Sequence, residues 1–335
     1  MSKPTSPKKK VLITDRFAQD VFLYLQQQPH LEVVRADSPK HLPLEHVIDA
    51  HALIIRSRTP INEELLQKAR NLQVIITATS GFDHIDLAAT QKWGVTVMHT
   101  PSANIESAAQ LTLGLILCCA NNLIQAHKMM KAGDWNRDSL VGMELNGRTY
   151  GVVGLGRIGT RVAQLVQAFG MNVVAFDPYQ DEEHFEKHKV TRLAYEEVLK
   201  TADILSFHVP KTLETDDMLN RSHFEYIHRG IILINTSRGS VIREQDLCEA
   251  LEQGWLRAVG LDVYEKEPLP RNSKLLNYQN LVLTPHIGAT TEDAFYKASN
   301  IAAQKLIEFF LDGSTSDTLP PQVPWYGATP FKSES

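Results

Sequence analysis

Residues 149–169 read TYGVVGLGRIGTRVAQLVQAF, and they predict the fold of the second half of the chain. An apolar strand pattern runs into Gly154, Gly156 and Gly159, and a helix pattern follows at once. The first glycine permits a tight turn, the second lets backbone approach a pyrophosphate, and the third allows helix and strand to pack closely. The helix N-terminus offers free N–H groups and partial positive charge to phosphate oxygens. The stretch therefore predicts a dinucleotide-binding unit.

An acidic residue stands where this fingerprint requires one. Asp177 ends the strand pattern NVVAFD, 23 positions after Gly154. A carboxylate about 20 residues after the glycines typically binds the adenosine ribose hydroxyls. The same charge repels a 2′-phosphate, and the following Pro178 and Tyr179 carry no cation to offset it. The predicted cofactor is therefore NAD rather than NADP.

Strand and helix patterns alternate on both sides of the fingerprint, which predicts βαβ units on parallel sheets and an α/β fold. The predicted strands are 11–14, 31–36, 52–56, 74–78 and 95–99, then 149–154, 172–177, 203–209, 231–235, 258–263 and 281–285. One long helix is predicted from Glu106 to about Lys131, buried between layers or lobes. A last helix is predicted to stop at Gly313 and to return to the first lobe, which would then be discontinuous.

Each strand pattern of the second series ends in a glycine or a polar group. In chain order these are Gly154, Asp177, His208 with Pro210, Asn235 to Arg238, Asp262 and His286. Open α/β sheets bind ligands outside the carboxyl ends of their strands. Any one of these residues alone could be a turn residue or a helix cap. Because all six strands share the feature, we expect a ligand site at this edge, with His208 and Pro210 among the cofactor contacts.

Arg238 follows the apolar pattern IILIN, where an unpaired guanidinium would be costly, so an anion is expected to meet it. Hydride transfer to and from a 2-hydroxy acid needs a cation for the carboxylate and a group titrating near neutrality for the hydroxyl proton. Arg238 and His286 fit these needs, and Glu267 beside His286 would orient the ring and favour its protonated form. From the residues alone, other roles stay open. Arg238 could instead cap a helix or bridge the two lobes, and Glu267 could be a solvated loop residue. His286 is one of 13 histidines, so its residue type alone does not single it out.

Composition narrows the class of protein. The chain has 335 residues and a net charge of −5, so it lacks the overall positive charge that is typical of proteins that bind nucleic acid. No apolar run reaches the roughly 18 residues that span a membrane, and no secretory leader is recognised. The three cysteines favour core thiols in a reducing compartment. We therefore expect a cytoplasmic protein with a small-molecule substrate, no nucleic-acid or membrane partner and no metal site.

Residues from about 50 to 312 resemble the D-isomer-specific 2-hydroxyacid dehydrogenases, through GLGRIG, NTSRG, GLDVYEKEP and TPHIGATT in family order. The resemblance implies two doubly wound parallel-sheet domains with a cleft between them, and usually a homodimer. The substrate-binding domain would be flavodoxin-like and discontinuous, formed by 1–103 plus 292–335. The NAD-binding Rossmann domain would be 104–291.

The resemblance also implies roles for individual residues. It gives the catalytic roles argued above to Arg238, Glu267 and His286. It implies that backbone N–H groups of Ser80 and Gly81 hold the substrate carboxylate. It implies NAD contacts at Arg157, Ile158, Asp177, Thr236, Asp262 and Gly288.

Within the family, IIRSRT and KMMKAGDWNRDSLVGMELNGRTYGVVGLGRIG look most like phosphoglycerate dehydrogenases, in a short form without a regulatory domain. This implies NAD-dependent interconversion of 3-phosphoglycerate and 3-phosphohydroxypyruvate, a step of serine biosynthesis. Arg56 ends the predicted strand 52–56 and is expected to point toward the cleft as a phosphate ligand. The resemblance implies a second phosphate ligand at Arg137, which corresponds to an arginine that reaches across the dimer in those enzymes. A reductase of glyoxylate or hydroxypyruvate is an alternative that needs no phosphate pocket. A corepressor-like protein that senses NAD and binds a partner is an alternative of another class.

Overall fold

The structure, a computed structural model, describes residues 7–36, 47–323, 325 and 326. The chain forms two compact units. One comprises the described residues up to 104 together with 289–323, 325 and 326, and the other comprises residues 105–288.

The first unit is built on a six-stranded sheet in the order β13-β5-β4-β3-β1-β2. Its strands are β1 Lys9–Ile13, β2 Leu31–Arg35, β3 Ala52–Ile55, β4 Val74–Thr77, β5 Thr96–His99 and β13 Thr318–Leu319. Its helices are Gln19–Gln26, Glu63–Lys68, Leu87–Lys92 and Glu292–Asp312. β1 to β5 are parallel in the flavodoxin-like order 2-1-3-4-5, and β13 is antiparallel to β5. β3 and β4 are buried along their whole length, as parallel strands covered by helices on both faces are.

The second unit is built on a seven-stranded parallel sheet in the order β12-β11-β10-β9-β6-β7-β8. Its strands are β6 Thr149–Val153, β7 Asn172–Phe176, β8 Thr191–Arg192, β9 Ile204–Phe207, β10 Ile231–Asn235, β11 Leu256–Leu261 and β12 Leu281–Leu283. Its α-helices are Ile105–Ala120, Leu123–Lys131, Arg157–Gln167, Glu182–His188, Tyr195–Thr201, Arg221–Phe224 and Glu244–Glu252. Short 3₁₀ helices occur at Asp138–Leu140, Gly239–Val241 and Lys274–Asn277. This is the Rossmann order, which reverses at β6 and creates the ligand-binding crevice there.

The predicted strands are all present, with ends that differ by no more than two residues. β8 and β13 were not predicted, because they are two-residue edge strands without apolar alternation. β13 is fastened by buried Lys305, whose Nζ donates to the Ser316 carbonyl at 2.7 Å and to Asp317 Oδ2 at 2.8 Å. The last helix ends before Gly313, which lies at φ 78° as predicted for a helix stop.

The prediction of one helix from Glu106 to Lys131 is wrong. Asn122 adopts φ 51°, a left-handed conformation that cannot continue a right-handed helix. Helices Ile105–Ala120 and Leu123–Lys131 flank it and are bent by 63°. The first packs into the unit, whereas the second has no buried residue. The predicted burial therefore holds only for the first.

In the part of the chain that is described, no single helix is long and apolar enough to cross a membrane. Helices Ile105–Ala120 and Leu123–Lys131 reach that length and hydropathy only when they are counted together across their bend.

Candidate active site

The glycine loop after β6 has the geometry that a pyrophosphate requires. Gly154 lies at φ 92°, a conformation that favours glycine. A Cβ on Gly159 would lie 2.0 Å from the Gly154 carbonyl oxygen, so only glycine lets helix Arg157–Gln167 come this close. A Cβ on Gly156 would meet no atom within 4 Å, and no side chain caps the helix N-terminus. Open space beside uncapped N–H groups fits a bound dinucleotide.

Asp177 directly follows β7 and is held against this loop. Its Oδ2 accepts from the Leu155 N–H at 2.8 Å, and its Oδ1 accepts from the Tyr179 N–H at 2.9 Å. A carboxylate oxygen accepts about two hydrogen bonds, so capacity remains for ribose hydroxyls. The Asp177 side chain is therefore fixed at the strand end, and its carboxylate oxygens can accept further hydrogen bonds.

His208, after β9, shapes the same loop from the other side. A Cβ on Gly154 would lie 2.8 Å from the His208 carbonyl oxygen. The ring Nε2 bonds the Ser206 hydroxyl at 2.8 Å, and burial lowers the pKa of His208 to about 4, so the ring is neutral at physiological pH. The carbonyl of Pro210 accepts from Thr215 Oγ1 at 2.6 Å. The His208 ring thus points into the interior, and the backbone of His208 lies against the glycine loop.

Arg238 lies just beyond the fully buried strand β10, in a turn organised by Asn235. Asn235 Oδ1 accepts from the Ser237 N–H at 3.0 Å, and its Nδ2 donates to the Arg238 carbonyl at 2.8 Å. Arg238 Nη1 donates to the Ser237 carbonyl at 2.8 Å. This turn sets the direction in which a half-buried guanidinium leaves the sheet edge.

Glu267 and His286 are brought into direct contact. His286 Nδ1 donates to Glu267 Oε2 at 2.6 Å, and the His286 side chain is 49% exposed. Its Nε2 has no hydrogen-bond partner among the residues that the structure describes. His286 also adopts φ 54°, which is uncommon for a residue with a side chain. The geometry leaves one ring nitrogen available to a ligand while a carboxylate orients the other.

The electrostatics of this pair follow from the contact. The hydrogen bond to Glu267 raises the pKa of His286, against opposing effects of burial and of the Arg238 charge. Burial acts to raise the pKa of Glu267, but the hydrogen bond and charge of His286, with help from Arg238, bring it below its usual value. Glu267 is therefore ionised near neutrality, and the proton is favoured on His286.

Asp262 holds the loop that carries His286. Its carboxylate is fully buried, and its Oδ1 accepts from Thr284 Oγ1 at 2.6 Å and from the Ile287 N–H at 2.8 Å. Its Oδ2 accepts from the Gly288 N–H at 2.8 Å. Both oxygens of this expected cofactor contact are thus engaged by the protein itself. The same carboxylate that was expected to touch cofactor fixes the backbone around His286.

Gly239 and Tyr264 were not predicted as site residues, yet they join the three loops that carry Arg238, Glu267 and His286. A Cβ on Gly239 would lie 1.9 Å from the Tyr264 carbonyl carbon, so only glycine allows the Arg238 turn to lie against Tyr264. The Tyr264 N–H donates to Glu267 Oε1 at 3.2 Å, and its Oη donates to the Thr284 carbonyl at 2.8 Å. The available signal was the glycine that immediately follows Arg238.

The remaining predicted cofactor residues lie around the same sheet edge. The Thr236 hydroxyl pairs with Thr112 Oγ1 at 2.8 Å, which ties the strand end to helix Ile105–Ala120. Arg157 is exposed in the first turn after the glycine loop, whereas Ile158 packs partly buried into the core. Within the described residues, no group of three or more His, Cys, Asp or Glu side chains is arranged to hold a metal ion.

In the first unit, Ser80 and Gly81 lie in the loop after β4. The Ser80 carbonyl accepts from His99 Nδ1 at 2.8 Å, and the Gly81 carbonyl accepts from Thr79 Oγ1 at 2.8 Å. Among the described residues, neither Ser80 nor Gly81 has a partner for its backbone N–H. These two adjacent donors are the kind of group that binds a carboxylate.

Arg56 directly follows β3, and its buried Nη1 has no hydrogen-bond partner among the described residues. Its guanidinium carbon lies 5.3 Å from the Phe295 ring centre, and that of Arg16 lies 5.4 Å from the same ring. Arg58 Nη2 donates to Asp15 Oδ1 at 2.5 Å. The Arg56 guanidinium thus lies among the positive charges of Arg16 and Arg58 and the negative charge of Asp15.

Arg137, the other predicted phosphate ligand, lies in the second unit just before the 3₁₀ helix Asp138–Leu140. Its side chain is exposed and forms no ion pair with described residues, including Asp134 and Asp138 beside it. The structure of the chain leaves its guanidinium available to a ligand.

Comparison with known proteins agrees with this arrangement. Residues 113–288 match the model of the D-isomer-specific 2-hydroxyacid dehydrogenase NAD-binding domain. The D-3-phosphoglycerate dehydrogenases of Methanocaldococcus jannaschii and Bacillus subtilis are 39% and 38% identical, over 89% and 90% of this chain. The chain spans 56% and 57% of those two relatives, a little over half their length.

A solved structure extends the likeness to both units. The D-lactate dehydrogenase of Aquifex aeolicus, solved with NAD and lactic acid, is 30% identical, with a TM-score of 0.81. The match covers 90% of this chain and 96% of that one. By sequence and by fold, the chain belongs to the D-isomer-specific 2-hydroxyacid dehydrogenase family, and its second unit is an NAD-binding domain.

Proposed function

We propose that this protein transfers a hydride between NAD and a D-2-hydroxy acid, and that its substrate pair is 3-phosphoglycerate and 3-phosphohydroxypyruvate. The observation that carries the proposal is the Glu267–His286 contact of 2.6 Å, linked through Tyr264 to the Arg238 turn. Those three loops follow β10, β11 and β12 of the same sheet in which β6 leads into the glycine loop. A serine biosynthetic role in the cytoplasm is part of the same proposal.

Each catalytic residue has a role that its surroundings support. Bound NAD supplies the hydride acceptor or donor. His286 Nε2 takes the hydroxyl proton during oxidation and returns it during reduction, while Glu267 keeps Nδ1 protonated and orients the ring. Arg238 binds the substrate carboxylate and polarises the carbonyl group, because a guanidinium presents two parallel donors to a carboxylate. Ser80 and Gly81 offer further backbone donors to that carboxylate.

The cofactor contacts are proposed residue by residue. Gly154, Gly156 and Gly159 with the following helix would bind the pyrophosphate, and Asp177 would bind the adenosine ribose. The remaining contacts would come from Arg157, Ile158, His208, Pro210, Thr236, Asp262 and Gly288. Asp262 and His208 would contact NAD while they keep their hydrogen bonds to Gly288 and Ser206.

The phosphate is the part of the substrate that separates this proposal from its alternatives. A phosphate monoester carries up to two charges near neutral pH and needs cations beyond Arg238. Arg56, with a buried donor that lacks a partner, and exposed Arg137 are the proposed ligands. The curated relatives named above are phosphoglycerate dehydrogenases, which favours the same substrate.

A substrate panel tests the proposal. NADH formation is measured with D-3-phosphoglycerate, D-glycerate and D-lactate, and NADH consumption with 3-phosphohydroxypyruvate, hydroxypyruvate and glyoxylate. Arg56→Ala should reduce kcat/KM for 3-phosphoglycerate about tenfold or more, because a hydrogen bond to a charged group is worth roughly 1.5–3 kcal/mol. It should change D-glycerate turnover much less. Arg70→Ala, an exposed arginine of the same unit, is the matched control.

The alternatives predict different outcomes. Efficient turnover of glyoxylate or hydroxypyruvate with poor turnover of 3-phosphohydroxypyruvate would instead favour a reductase without a phosphate site. Tight NADH binding with no turnover of any substrate would favour an NAD-sensing binding protein.

We also propose that the protein is a homodimer. Helix Leu123–Lys131 has no buried residue, and the segment around it exposes a group of large apolar side chains. They are Leu123, Ile124, Met130, Trp135 and Val141. Trp135 and Val141 are each 72% exposed. Apolar exposure concentrated in one short segment is typical of a surface that another protein chain covers.

A further inference from the structure

The NAD-binding unit carries a second carboxylate close to Asp177. Tyr179 Oη donates to Glu214 Oε2 at 2.5 Å, while the Tyr179 N–H donates to Asp177 Oδ1 at 2.9 Å. One tyrosine therefore connects two acidic side chains that are far apart in sequence.

These two carboxylates lie in loops on opposite sides of the glycine loop. Asp177 and Tyr179 follow β7, and Glu214 lies in the loop after β9. β7 and β9 are the two neighbours of β6, whose carboxyl end leads into Gly154. The Tyr179–Glu214 hydrogen bond therefore crosses the end of β6, beside the position that adenosine would occupy if Asp177 binds its ribose.

The loop that carries Glu214 is held in place by its own hydrogen bonds. Thr215 Oγ1 donates to the Pro210 carbonyl at 2.6 Å and accepts from the Thr212 N–H at 2.9 Å. Burial together with the bond and charge of Glu214, and the charge of Asp177, raises the pKa of Tyr179 to about 12. The phenol thus remains a donor at physiological pH and lies within the field of both carboxylates. In the described residues neither Asp177 nor Glu214 forms an ion pair.

We propose that Glu214 is a second specificity-determining residue, which acts with Asp177 to exclude dinucleotides that carry a 2′-phosphate. The inference rests on the proposed function in one respect, namely that NAD binds with its ribose at Asp177. A 2′-phosphate at that position would face two carboxylates that form no ion pair among the described residues, and repulsion between like charges disfavours a wrong ligand. Tyr179 is a positioning residue, because it keeps the Glu214 carboxylate at the site rather than in solvent.

Binding of NADH and NADPH, followed by cofactor fluorescence without substrate, tests this inference. Glu214→Gln removes the charge but keeps an acceptor for Tyr179, so the Kd for NADPH should fall about fivefold or more. The Kd for NADH should stay within about twofold, whereas a merely structural role would weaken both. Tyr179→Phe should shift the NADPH to NADH ratio in the same direction by a smaller amount. Added salt should reduce the effect of Glu214→Gln, because it screens exposed charges.

Glu225→Gln is the matched control, since it removes the same charge from an exposed site after helix Arg221–Phe224. An unchanged Kd ratio in Glu214→Gln, or an equal shift in Glu225→Gln, would overturn the inference. If Asp177→Asn changes the ratio and Glu214→Gln does not, Asp177 alone selects the cofactor and the proposed function stands. If the wild type binds neither dinucleotide, the proposed function fails and this inference fails with it.

Discussion

At the scale of single residues, the Glu267–His286 contact gives the site its expected pH dependence. The hydrogen bond to Glu267 raises the pKa of His286, so the protonated ring persists to a higher pH than an isolated histidine would allow. Reduction of a keto acid needs that proton, and its rate should fall as pH rises through the pKa of His286. Oxidation needs the unprotonated ring, and its rate should rise over the same range.

The first prediction concerns this pair. Glu267→Gln removes the charge that favours protonated His286, so the falling limb of kcat/KM for reduction should move to lower pH. His286→Ala should reduce turnover about 10²–10⁴-fold, the usual contribution of general acid–base catalysis. NADH binding should remain nearly intact in both variants. A pH profile that does not move in Glu267→Gln would contradict the proposed coupling.

Arg238 provides a second prediction at this scale. Arg238→Lys keeps the positive charge but loses the planar fork that binds a carboxylate through two donors. We expect kcat/KM for the hydroxy acid to fall about tenfold or more, with little change in the Kd for NADH. Steady-state kinetics with a parallel NADH titration measures both quantities. Near-normal kcat/KM in this variant would show that bidentate recognition is not used.

At the scale of secondary-structure elements, the approach of helix Arg157–Gln167 to β6 depends on Gly159. Its Cβ position lies 2.0 Å from a backbone oxygen, which no side-chain rotation can relieve. Gly159→Ala must therefore displace either the loop or the helix. We expect weaker NADH binding and a loss of stability of about 1–3 kcal/mol, as in other overpacked sites.

Gly114→Ala is the control for that prediction. Gly114 lies inside helix Ile105–Ala120, and a Cβ there meets nothing within 4 Å. Replacing glycine by alanine within a helix typically stabilises it by up to about 1 kcal/mol. Thermal unfolding and NADH titration should therefore separate the two variants. Equal behaviour of Gly159→Ala and wild type would refute the close-packing argument.

At the scale of the whole molecule, the exposed segment around helix Leu123–Lys131 determines the expected assembly. Substitution of both Met130 and Trp135 by Glu should convert the proposed dimer into a monomer, because the apolar surface would then carry charge. Light scattering after gel filtration gives the mass directly. Leu311→Glu changes a leucine of the first unit that is 65% exposed, and it should leave the dimer intact. A wild-type protein that is monomeric at micromolar concentration would contradict the proposal.

The strand series, the glycine loop, the position of Asp177 after a strand and the polar strand ends could all be predicted from the amino-acid sequence. Apolar periodicity, the glycine spacing and the position of a residue after a strand are properties of contiguous segments, and parallel strands bring their carboxyl ends to one edge of a sheet. Glu267 and His286 were predicted as partners from the chemistry of hydride transfer and from the family resemblance, because their contact is not a property of one contiguous segment.

Which loops meet could be seen only in the folded chain. The tertiary structure placed His286 Nδ1 at 2.6 Å from Glu267, fixed the His286 loop through Asp262, and brought Tyr179 to Glu214. It also showed that Asn122 ends a helix that apolar periodicity alone would have continued. Such contacts join residues separated by 19 to 35 positions, and they depend on the paths of intervening loops and on close backbone approaches such as that of Gly239 to Tyr264. The periodicity of a local segment does not predict the path of a loop, because that path depends on the packing of elements that meet only in the folded chain.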